Sequence, residues 1–291
     1  MHRPAAVLLL TLLFAVSIHA ATHAELFAAG REAMKKGDPV KAAELFEQAV
    51  KASPNNSEYH FWLGNAYGNQ AARASILKQA GLAKKTKVAF ERAVQLDPDN
   101  LDARNGLVEY YVIAPGFMGG SDEKALAQAA EIAKRDAARG RRTYARIYIG
   151  QKKPELAQKL YVDAVRQSPN SAEAHYDLGN FYAYQKDYKN AQHEFEYVLT
   201  RIDDDYMPAH FRLGQLAVTA GSNYAKGEES LKKYLTYTPK DTEPPTHRAW
   251  YWLGGIYEKT GRKAEARQAY QTSLKLAPGA KDVTEALKRV P

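Results

Sequence analysis

The amino-acid sequence predicts an all-α protein: a solenoid of about seven helix pairs closed by a C-terminal capping helix. Three observations predict it. One helical template recurs many times in the same register, apolar residues within it fall three and four apart, and most copies close on a proline. Self-similarity of this kind marks an array in which each unit buries its apolar face against its neighbours. The chain has 291 residues, 45% hydrophobic and 25% charged, which is the composition of a folded chain and not of a disordered one.

Four stretches carry the template most plainly: Tyr59–Tyr67 (YHFWLGNAY), Ala174–Tyr182 (AHYDLGNFY), Ala209–Ala217 (AHFRLGQLA) and Ala249–Tyr257 (AWYWLGGIY). A second helical stripe also recurs along the chain: Ala42/Phe46/Ala49, Phe90/Ala93, Ala157/Tyr161/Ala164, Ala191/Phe195 and Ala266/Tyr270/Ser273. Closing prolines stand at 54, 98, 169, 239 and 278. Apolar residues three and four apart make one face of a helix. A small residue such as Gly64 or Gly254 lets the two helices of a pair approach closely, and proline ends the second helix.

These residues resemble the tetratricopeptide repeat family, whose pattern is W-x-x-L-G-x-x-Y…A-x-x-x-F-x-x-A…P over about 34 residues. The last copy matches nearly throughout, in Trp250, Leu253, Gly254, Tyr257, Gly261, Ala266, Tyr270 and Pro278. The resemblance implies a right-handed α-solenoid in which the first helices line a concave groove.

In order, the units run about 23–56, 57–100, 101–137, 138–171, 172–206, 207–246 and 247–280. Residues 281–291 read as an amphipathic cap through Val283, Leu287 and Val290, the polar end that a solenoid needs for solubility. The whole of 21–291 is thus expected to be one array, leaving no space for a separate catalytic domain. Unit 2 is longer than the template, its addition carrying Arg73, Lys78, Lys84, Lys85 and Lys87, and is expected to lengthen both of its helices. Unit 3 lacks the closing proline and has Leu107-Val108 in place of Leu-Gly, unit 4 has Ala145 at the glycine position, and Pro239–Thr246 is a long connection.

The first 20 residues form a separate object. Arg3, an apolar run of about 14 residues from Ala5 to Ile18, and small residues at Ala20 and Ala21 make a secretory signal peptide. The run falls short of the roughly 20 residues that span a bilayer, although an uncleaved anchor is the alternative. No cysteine occurs, so disulfides, thiol nucleophiles and Cys-ligated zinc are excluded, and stability must come from packing. Loss of Arg3 with the leader leaves 40 basic and 33 acidic residues, a net +7. After export, nucleic acid is an unlikely partner, and the mature chain holds no transmembrane span.

Motifs with chemistry are absent. His60, His175 and His210 share the template position of Trp250, which marks them as packing residues and not metal ligands; zinc spacings are missing. His193-Glu194 lacks the second His of a zinc protease helix. Asp203-Asp204-Asp205 has none of the spacing of a calcium loop and reads as a solvated turn. The stretch Tyr110–Ser121 (YYVIAPGFMGGS) has glycines but no following Lys, and Asp122 and Glu123 would repel a phosphate at the helix start that Ser121 caps. It reads as an enlarged turn within unit 3. At its tip, Phe117 and Met118 either fold back onto neighbouring repeats or offer a partner an apolar contact, and folding back is the expected outcome.

The resemblance places groove residues at template positions 5 and 9. These are Phe61, Asn105, Arg142, Tyr176, Phe211 and Tyr251, then Asn65, Glu109, Arg146, Asn180 and Gln215. The set resembles in part the carboxylate-clamp members of the family, which hold a peptide C-terminus. Arg142 and Arg146 fit the basic pair, and Asn65 and Asn180 fit the amide positions, but the order differs and Asn105 and Glu109 depart from it. An Asn amide can pair with an extended backbone and an Arg can fork onto a carboxylate. The expected function is that of a non-catalytic, exported scaffold that binds a protein or peptide in its groove without a cofactor. The alternative is a basic binder of an anionic envelope polymer or membrane surface.

Overall fold

A computed structural model describes residues 21–290. The signal-peptide reading falls on residues 1–20, outside the described residues. Fifteen α-helices make up the described chain, with no strand among the described residues. In chain order they fall into seven consecutive twos and a final single helix. The pairs are α1 (His23–Lys35) with α2 (Pro39–Ala52), α3 (Ser57–Arg73) with α4 (Ile76–Leu96), α5 (Leu101–Ile113) with α6 (Asp122–Arg135), and α7 (Ala137–Gly150) with α8 (Pro154–Gln167). Then come α9 (Ala172–Tyr184) with α10 (Tyr188–Tyr197, continued by a π turn to Ile202), α11 (Met207–Ala220) with α12 (Tyr224–Leu235), α13 (Thr246–Lys259) with α14 (Lys263–Leu276), and α15 (Lys281–Arg289). Two compact units divide between Gln128 and Ala129, within α6. No helix among the described residues is long and apolar enough to cross a membrane.

The helix starts are written locally. Side chains of Thr22, Asp38, Asn56, Asn100, Asp136, Ser171 and Asp187 accept from backbone N–H groups in the first turn, which would otherwise be unpaired. Proline opens α2 and α8, where its missing N–H costs nothing.

Within a pair, an aromatic ring of the second helix packs directly against the template glycine of the first. A Cβ added to Gly30 would lie 2.5 Å from Phe46, one on Gly64 2.6 Å from Phe90, one on Gly179 2.6 Å from Phe195 and one on Gly254 2.6 Å from Tyr270. Leu231 takes the ring's place over Gly214. The fourth pair has no such glycine. Ala145 is buried there with Tyr161, and the close approach moves to Gly140, which packs on Ala133 of the preceding helix.

A second recurring device ties each unit to the loop before it. His60, Arg104, His175 and His210 each reach the carbonyl six residues earlier, of Pro54, Pro98, Pro169 and Asp204, at 2.8–3.0 Å. A carbonyl only accepts, so in each histidine Nε2 carries the proton. The template histidines are therefore hydrogen-bonded struts as well as packing residues. Among the described residues, no group of three or more His, Cys, Asp or Glu is placed to hold a metal ion.

In unit 2 of the repeat, α3 has 17 residues and α4 has 21, against 13 or 14 in most other helices, so the extra sequence lengthens both. The Pro115–Gly120 stretch is a compact turn. Gly116–Met118 form one 3-10 turn, Gly119 takes φ +92°, and a Cβ on Gly120 would lie 1.7 Å from the Ala114 carbonyl oxygen. The Tyr110 hydroxyl donates to the Met118 carbonyl, and Ser121 Oγ accepts from Lys124 N at 3.2 Å, the cap read from the sequence. Met118 is half-buried, but Phe117 is 91% exposed. The expectation that both fold back is corrected: the 3-10 turn ties down the backbone at 118 and sends the ring at 117 outward.

Candidate functional site

In the unit that begins at Ala129, the first helices lie side by side, with α9 against α11 and α11 against α13. The side chains of α7 join this face through ion pairs. Arg142 Nη1 lies 2.9 Å from Glu173 Oε1 and 3.2 Å from Asp177 Oδ2, and Arg141 Nη2 lies 3.3 Å from the same Asp177 oxygen. The Asp177 carboxyl is buried, which pushes its pKa up even though both guanidinium groups pull it down. Burial opposes the charge on Arg142, but Asp177 and Glu173 outweigh it and hold its pKa up. Arg142 is thus already forked onto this chain's own carboxylates. Burial pushes the nearby Tyr161 up to about 12 and raises Tyr206 further.

Next along the face, Tyr176 packs edge-on against Tyr206 at 5.6 Å, and its hydroxyl accepts from Arg212 Nε at 3.4 Å. Arg212 Nη1 also donates to Gln215 at 2.7 Å. Tyr176, Asn180 and Gln215 are half-buried, and Arg146 is exposed. Arg212 was missed from sequence because it occupies the position after the groove position; only the packing of α9 on α11 brings it forward. Phe211 does not join them. It is 3% exposed, its ring 5.2 Å from that of Tyr234, and so belongs to the core and not to the surface. In the other unit, Phe61 is half-buried between the rings of Trp62 and Phe90, with Asn65 and Asn105 half-buried and Glu109 exposed.

Past Gln215 the face opens into a cleft of about 200 Å³, lined by Val218, Tyr251, Trp252, Gly255, Glu258, Lys259, Tyr270 and Arg289. Of the predicted residues it takes only Tyr251. Gly255, lacking a side chain at the position where other units carry Asn, Gln, Arg or Glu, leaves the floor open; a Cβ there would reach Val218 at 3.2 Å. Glu258 forms one wall, accepting from Tyr270 Oη at 2.7 Å and from Arg289 Nε and Nη2 at 2.8 and 3.0 Å. Arg289 thereby holds the Glu258 carboxyl below the usual carboxylate range. The Arg248 guanidinium stacks on the opposite aromatic wall, 4.6 Å from the Tyr251 ring and 5.8 Å from that of Trp252. A volume of about 200 Å³ is below the roughly 300–1,000 Å³ of small-molecule and cofactor sites and suits one large side chain of a bound polypeptide.

One solved structure agrees in fold. A tetratricopeptide repeat protein from Parabacteroides merdae ATCC 43184 matches at 17% identity and a TM-score of 0.51, over 92% of this chain and 98% of that one. A human IFIT1 dimer with PPP-AAAA matches at 21% identity and a TM-score of 0.49, over 88% of this chain and 59% of that one. No curated protein matches the chain. The tetratricopeptide repeat model matches residues 27–75, 143–207 and 211–281, more than half of the chain, and by that measure the protein belongs to the tetratricopeptide repeat family.

Proposed function

We propose that the protein is a non-catalytic scaffold, exported by way of residues 1–20, that binds an extended polypeptide on the first-helix face between Arg142 and Arg289. Membership of a family of protein-interaction repeats supports the class of function. The observation that carries the reading is the cleft floored by Gly255: it lies on that face and is sized for a side chain, with Tyr251 and Trp252 as apolar walls. Upstream of it, Asn180 and Gln215 offer amides for a peptide backbone, while Arg142 and Asp177 form a preset pair that fixes the face instead of a free cation clamp.

The test is to pan a random peptide display library on the folded protein and measure the enriched peptides against Gly255→Leu, whose side chain fills the cleft. Binding is expected to fall at least tenfold, the loss of about one buried side-chain contact, with an unchanged far-UV spectrum. Failure to enrich any peptide, or equal binding by Gly255→Leu, overturns the proposal. The secretory reading is checked by N-terminal sequencing of the protein from its producing cell, which is expected to begin near Ala21.

A further inference from the structure

Among the first ten residues of α4 none is fully buried, and only Leu82, which packs on the neighbouring core, and Ala83 are partly covered. Its buried residues are Thr86, Ala89, Phe90 and Ala93, all in its second half, while Ile76 and Leu77 are 82% and 91% exposed. With α3 and α4 both lengthened, the hairpin extends beyond the ordinary repeat by about seven residues of α4, roughly 10 Å. Leu77, Gly81, Lys84 and Val88, spaced four, three and four apart, share one face, and all four are exposed. A Cβ on Gly81 would meet nothing within 4 Å. Two large apolar side chains on a protruding end, uncovered by any of the described residues, call for an occupant.

The charge around them says which. From Tyr59 to Phe90 there is no Asp or Glu, while Arg73, Lys78, Lys84, Lys85 and Lys87 all fall in that span. Carboxylates from outside it reach only part of the cluster: Lys85 lies 4.0 Å from Glu47 and Lys87 3.6 Å from Glu91. Lysines beside and among exposed apolar side chains on one helix match an interfacial helix on an anionic bilayer, with the apolar side chains entering the acyl boundary and the lysines snorkelling to phosphates. No pocket is needed for such a contact: Ile76 and Leu77 stand almost fully exposed, as side chains that enter a fluid surface must.

We propose that the N-terminal half of α4 docks the protein on an anionic lipid bilayer, with Leu77 inserted. This surface is separate from the peptide cleft and does not rest on it. Because the chain contains no cysteine, Leu77→Cys places a single environment-sensitive fluorophore on the full-length protein, and Leu276→Cys on α14, 54% exposed, is the control. Vesicles of phosphatidylcholine with about one third phosphatidylglycerol should blue-shift the probe at 77 and not that at 276, and salt should weaken the response. Lys78→Glu with Lys84→Glu should lower partitioning by at least roughly 30-fold, about fivefold for each basic residue lost, with the two added carboxylates lowering it further. Residues 1–20 are common to every variant, so they do not enter the comparison. No shift at 77, an equal shift with pure phosphatidylcholine, an equal shift at 276, or insensitivity to the charge reversals overturns the proposal. So does a probe that responds to an acidic protein and not to vesicles.

Discussion

Replacing Gly64 by alanine should destabilise the protein although alanine is the better helix former. The added Cβ would sit 2.6 Å from Phe90 Cε1 and 2.7 Å from Cδ1, where carbon atoms prefer about 3.5–4.0 Å. The ring has nowhere to retreat. On its other edge, a Cβ on Gly106 would lie 2.7 Å from Cε2 and Cζ, so α5 presses on Phe90 from the opposite side. Overpacking costs about 1–3 kcal/mol, and a ring confined at two opposite edges belongs at the upper end. Alanine returns about 1 kcal/mol of helix propensity, leaving about 2 kcal/mol of net loss. The internal control is Gly81→Ala in the partner helix, whose Cβ meets nothing within 4 Å and which should gain about 1 kcal/mol. Urea unfolding followed by helical circular dichroism checks both. With a slope of about 2 kcal/mol per molar, the Gly64→Ala midpoint should fall by about 1 M while that of Gly81→Ala rises. If Gly64→Ala shifts the midpoint upward like Gly81→Ala, glycine is not at position 64 to admit the ring, and the packing argument fails.

Two further outcomes concern a pH dependence and the enlarged turn. The Glu228 carboxyl is held near 2 by a hydrogen bond from Arg262, with Lys232 adding to it, so its folded pKa is depressed. The stability it contributes is full above about pH 4.5 and is lost as pH falls toward 2; thermal melts of Glu228→Gln should be flatter over that window than those of the wild type. Gly120→Ala would drive a Cβ into the Ala114 carbonyl oxygen, a backbone atom that cannot swing aside, and should cost on the order of 3 kcal/mol or more. Phe117→Ser, three residues away and 91% exposed at its wild-type ring, should change the melting midpoint within error.

Much of this architecture is local and therefore legible in the residues. Caps such as Asn56 and Asp136, the stripes of each helix and the prolines that close them act within one or two turns, and they mark the helix pairs before any contact is known. Even the turn at Gly119 and Gly120 could be read as a turn, because a cap at Ser121 follows it directly. What lay beyond reach were pairings that span a whole repeat. Arg142 meets Glu173 and Asp177, 31 and 35 positions on, and Glu258 meets Arg289, 31 positions on. Periodicity says which residues share a helical face but not whether a neighbouring helix covers that face or supplies its counter-charge. That is why Phe211 went into the core while Tyr251 lined a cleft, although both hold the same template position. The cleft itself needed a missing side chain at 255, a wall from α14 and an arginine from α15. Repeats and their order follow from short-range spacing; the open surface, and the charges left on it, depend on which side chains the packed helices bring together.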